Sequence, residues 1–120
     1  MVTIKEIENT GENDIRLTFP SPKGDFQQLL LPKGSATSMF VLPAFAPDIQ
    51  LEFFVQLASC DLPPRRFTIH YENGSGKNAF FYAVESGPPL TAGTTTPGNS
   101  VLMSVTYTGD GVVIVGTADF

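Results

Sequence analysis

Ile49-Gln50-Leu51-Glu52-Phe53-Phe54-Val55-Gln56-Leu57 has an apolar residue at every odd position and a polar one at every even position except Phe54. Successive side chains of a strand point to opposite faces, so this period of two predicts a β-strand with one side on a core and the other turned outward. Similar short runs recur along the whole chain, at 2–8, 13–19, 26–31, 36–42, 65–72, 79–85, 100–108 and 112–119, alongside 49–58 itself. Gly, Pro, Asn and Asp separate them at the positions where turns need fixed or positive φ, as in Pro20-Ser21-Pro22-Lys23-Gly24 and Asn73-Gly74-Ser75-Gly76. Gly109-Asp110-Gly111 between Thr108 and Val112 gives the clearest hairpin signal. The expected fold is all-β: an antiparallel β-sandwich of about eight or nine short strands, with a small β-barrel as the alternative. Helix has little support, because flanking prolines leave barely two turns around Gly24 to Leu31.

The 120 residues suffice for one domain spanning 1–120, with one core. Seven Lys and Arg stand against twelve Asp and Glu, a net charge of −5, so the field that draws phosphate backbones is absent and nucleic acid is not an expected partner. The basic residues are scattered, with Arg65-Arg66 the only adjacent pair, which disfavours an anionic lipid surface. No apolar run approaches the roughly 20 residues of a spanning helix. Cys60 is the single cysteine, so no internal disulfide can form. Residues Met1 to Glu6 alternate like a strand rather than reading as a leader, and the expectation is a cytoplasmic protein or one exported without a cleaved signal.

Motifs that carry chemistry are sparse. His70 is the sole histidine, so Cys60 is the only thiol it could activate, and a hairpin turning near Asp61 would hold the two roughly 26 Å apart. The G-x-S-x-G pattern does not occur. Twelve acids offer no distinguished carboxylate pair, and the chain has no Trp and three Tyr to make a sugar platform. Glu12-Asn13-Asp14 lacks the spacing of a calcium loop, and neither His-x-His nor Cys-x-x-Cys is present. No catalytic residue, metal or cofactor is expected, and the chain is not read as an enzyme.

The outward sides of three strands hold the candidate site. Matching apolar faces pairs Phe67 with Val84, Ile69 with Tyr82 and Tyr71 with Phe80, and pairs Val55 with Phe67, Phe53 with Ile69 and Leu51 with Tyr71. The opposite face then carries Glu52, Phe54, Gln56, Arg66, Thr68, His70 and Phe81: two outward phenylalanines among hydrogen-bonding groups. In this register Glu52 lies across from His70, a pair that would make binding pH-dependent between about 5 and 7. Residues 86–100, with Pro88-Pro89, Thr94 to Thr96 and Pro97-Gly98, read as a long loop that contributes to the same site. The function expected is a non-catalytic binding module, lectin-like or adhesion-type, for a carbohydrate or protein ligand, and a homo-oligomer is expected. A structural or assembly subunit (virion, fibre or inclusion component) that self-associates through the same face is the first alternative. The second is a membrane-active sandwich using Phe40, Leu42, Phe45 and Ile49 as exposed loop residues.

Overall fold

The computed structural model describes residues 1–37, 40, 42–59 and 62–120. Ten strands follow one another: β1 (Ile4–Asn9), β2 (Ile15–Pro20), β3 (Phe26–Leu31), β4 (Ala36–Thr37), β5 (Leu51–Leu57), β6 (Arg65–Asn73), β7 (Asn78–Val84), β8 (Leu90–Thr95), β9 (Val101–Tyr107) and β10 (Val113–Asp119). They form a four-stranded sheet ordered β10-β9-β1-β4 and a six-stranded sheet ordered β3-β2-β5-β6-β7-β8. The described residues contain no helix. The fold is an all-β sandwich of two packed sheets, not a closed barrel. Every pairing between described strands is antiparallel except β1 with β9, which brings the first and ninth strands side by side in parallel.

Alternation builds the core. Odd residues of β2 and β5, with Phe67, Ile69 and Tyr71 of β6 and Phe80 and Tyr82 of β7, face Ile4, Ile7, Val101, Met103, Val105, Val113 and Val115 of the other sheet in one buried cluster. Phe53 and Phe67 stack at 5.1 Å, and Tyr71 and Phe80 at 5.2 Å. A register shift between Ile4 and Glu6 in β1 exposes Lys5 and lets Ile4 and Ile7, three apart, both point inward. Phe45 exchanges backbone hydrogen bonds with Val2 at 3.0 Å each way, and its carbonyl also accepts from the Tyr71 hydroxyl at 3.0 Å.

Three sequence expectations change. Residues 86–100 are not a long loop: Leu90–Thr95 forms β8, an edge strand on β7. Gly93 breaks its alternation, with φ of 151° and a register shift opposite Phe80 and Phe81. A Cβ at that position would land on the carbonyl oxygen of Thr117 in β10, so only glycine lets the two sheets close here. The strand expected at 36–42 reduces to Ala36–Thr37, with Ser38, Met39 and Val41 outside the described residues. Leu42 and Phe45 are core residues, and Phe40 is half-buried edge-on to Phe19 at 5.7 Å, so of the four residues expected to face a membrane only Ile49 is exposed.

Candidate outer-face site

No described element packs on the outer face of the six-stranded sheet, whose other face makes the core. The β6–β7 register is the one the sequence predicts: Phe67 lies opposite Val84, Ile69 opposite Tyr82 and Tyr71 opposite Phe80. The β5–β6 register differs by two residues, with Phe53 opposite Phe67 and Val55 opposite Arg65. Because an offset of two preserves which way each side chain points, Glu52, Phe54, Gln56, Arg66, Thr68, His70 and Phe81 still share the outer face. Their neighbours change.

Glu52 now sits opposite Thr68, not His70, and its Oε2 accepts from Arg66 Nε at 2.6 Å. The expected Glu52–His70 pair is therefore absent, and with it the basis for a pH dependence of binding. Both partners of the ion pair are 40% exposed, so it contributes about 0–1 kcal/mol and acts mainly to fix two side-chain directions. Arg66 is held from its other side by Glu85, whose carboxylate accepts from the Arg66 backbone N–H at 3.1 Å and from Arg65 Nε at 3.2 Å. Glu85 has a left-handed backbone, φ of 52°, at the turn that closes β7, a conformation its carboxylate contacts help to hold.

The two phenylalanines form separate foci. Phe54, between Thr18 and Arg66, meets Phe26 edge-on at 6.2 Å. Phe81 lies opposite His70, and the rings stack at 5.4 Å with an interplanar angle of 24°. Two strand spacings and four residues along β6 put these foci roughly 16 Å apart. Between them stand the Glu52–Arg66 pair and Thr68, which is buried despite facing outward. Gln56 is half-buried beside Arg16. His70 Nδ1 is buried with no hydrogen-bond partner among the described residues, so stacking is what positions the ring.

The Cys60 end of the expected wide Cys60–His70 separation lies outside the described residues. Among the described residues no three of His, Cys, Asp and Glu come together as metal ligands. Sequence reading passed over an open cleft of about 390 Å³ at the β9–β10 turn, lined by Arg65, Val84, Leu90 and Asp110 to Val113. Leu90 and Val112 there are exposed apolar residues, and an apolar Val112 directly after a Gly-Asp-Gly turn was the available signal. The Arg65 guanidinium is already engaged, donating to the Gly111 carbonyl at 3.0 Å as well as to Glu85. Comparison with protein-family models, with curated proteins and with solved structures returns no match.

Proposed function

We propose that the chain is a non-catalytic binding module whose ligand lies across the outer face of the six-stranded sheet. The observation that supports this is the spacing of Phe54 and Phe81, each half-buried, on one outer face, with a fixed Glu52–Arg66 pair between them. Two apolar foci roughly 16 Å apart with polar groups between them match an extended polymer, about five residues of stretched polypeptide or a short oligosaccharide, better than a compact small molecule. Aromatic rings supply the contact area, and Glu52, Arg66, Gln56 and His70 supply direction. Thr68 is covered by its neighbours and serves as support.

The test screens the chain on glycan and peptide arrays, then repeats any positive with Phe54→Ser and Phe81→Ser. Both changes are expected to weaken binding by about tenfold or more each while circular dichroism and mass stay unchanged. Binding that survives both substitutions would move the site off this face. An assembly subunit is the second reading, favoured by the apolar strip that continues from Phe54 through Phe26 to the edge of the sheet.

A further inference from the structure

We infer that the free edge of β3 pairs with β3 of a second copy of this chain, antiparallel about a two-fold axis, joining two six-stranded sheets into one of twelve strands. Edge strands expose unpaired N–H and C=O groups, and folded proteins blunt them with charge, proline, brevity or cover. Three of the four sheet edges here are blunted. β4 is two residues long. β8 and β10 close against each other where Gly93 meets the Thr117 carbonyl, and Asp119 accepts from the Thr96 N–H at 2.7 Å and its hydroxyl at 2.8 Å. Among the described residues β3 has none of these devices: its six residues, Phe-Gln-Gln-Leu-Leu-Leu, include no charge and no proline, and Phe26 and Leu30 are 58% and 54% exposed.

The register follows from which backbone groups are free. Asp14 C=O accepts from the Ala58 N–H and Asp25 C=O accepts from the Ser21 N–H, so the odd residues of β2 and β3 bond to each other. The amides and carbonyls of Phe26, Gln28 and Leu30 therefore point away from β2, where no described strand lies. A two-fold axis through Gln28 sets each Gln28 opposite its counterpart and each Phe26 opposite the other copy's Leu30. All three free residues then exchange both hydrogen bonds, on one outer face. Shifting the axis toward the C-terminus brings in Pro32, which has no N–H, and shifting it the other way brings in Gly24, whose φ of 92° is not extended. Gln28 is thus the centre that uses the whole strand.

A second copy fits better than an unrelated strand for two reasons. The pairing matches Phe with Leu on both sides of a Gln–Gln centre, and the strip is uncharged, so two chains of net charge −5 meet without opposed carboxylates along it. The contact is isologous, so it consumes both edges and stops at two copies. It does not rest on the ligand-binding reading: Phe54 touches Phe26 of this strand, but His70 and Phe81 lie three and four strands from this edge.

The test is sedimentation equilibrium of the 120-residue chain from about 1 µM to about 500 µM, with Gln28→Pro and Gln28→Lys beside the wild type. The wild type is expected to reach twice the 12.9 kDa chain mass. Gln28→Pro removes an N–H that no described strand uses, and Gln28→Lys sets two ammonium groups across the axis. Each should raise the dimer dissociation constant about a hundredfold or more with an unchanged circular dichroism spectrum. Amide exchange at high concentration should slow at Phe26, Gln28 and Leu30 but not change at Phe81. If Gln28→Pro fails to fold, Gln28→Lys decides. A wild type that stays monomeric, assembles beyond two copies, or dimerises equally well with Gln28→Lys overturns the proposal. Loss of array binding by Phe81→Ser with the dimer intact bears only on the ligand face.

Discussion

Tyr71 carries a hydroxyl into the aromatic centre of the core and donates it to the Phe45 carbonyl at 3.0 Å, with the Phe45 ring edge-on at 5.2 Å. Burial, and then the nearby Asp48 carboxylate, push its phenol pKa above the ordinary value, since both disfavour phenolate. A raised folded value means that the associated stability is intact below the unfolded pKa of about 10 and is lost as pH climbs through the folded one. Tyr71→Phe is therefore expected to cost about 1–2 kcal/mol near neutral pH, from the lost hydrogen bond, and to flatten the fall in stability above about pH 10. Urea unfolding at about pH 7 and about pH 11 measures both. Sequence alone marked Tyr71 as a core aromatic, because it continues the alternation of Phe67 and Ile69. It could not mark Phe45 as its acceptor, because Phe45 lies outside the named strands, between two prolines, and joins the core through a single bridge to Val2.

Among the elements, β8 and β10 are tied at their ends by Asp119. Its carboxyl pKa is lowered first by the Thr96 backbone N–H and then by the Thr96 hydroxyl, both donating to the charged form. For a lowered carboxylate, the contribution is present above the unfolded value and disappears as pH falls through the folded one. Asp119→Asn should accordingly make the acid limb of the stability curve shallower below about pH 4, read by thermal melts at stepped pH, and should speed amide exchange in β8. β8 was illegible in the sequence for a physical reason: Gly93 interrupts the period of two where the strand bulges, so Leu-Thr-Ala-Gly-Thr-Thr reads as a loop. The β5–β6 register failed differently. Hydrophobic alternation fixes register only modulo two, and the choice between neighbouring even offsets falls to the connection, which includes Cys60 and Asp61. In the β6–β7 hairpin the short Gly74-to-Lys77 turn, closed by Gly74 N–H on the Lys77 carbonyl at 2.8 Å, leaves a single offset, and the sequence reading there agrees with the structure.

At the scale of the molecule, the first strand is completed by the ninth, so the four-stranded sheet cannot form until nearly the whole chain is present. Non-local pairing of this kind places refolding in the range of about milliseconds to seconds, not microseconds, and stopped-flow fluorescence of the tyrosines is expected to show it. The alternating pattern made the all-β class and the outward set of side chains legible, yet gave no hint of the parallel β1–β9 contact, since both strands alternate alike whichever way they run. That contact has a practical consequence. Ile4 pairs with Val101, and Val101 pairs with Asp119, so the start of β1 and the finish of β10 stand in one row, roughly 10 Å apart across two strand spacings. A few glycines would bridge them, and the polypeptide could then be cut open in the exposed segment Ser86 to Pro89, giving a circularly permuted relative whose new ends leave from a different part of the sandwich.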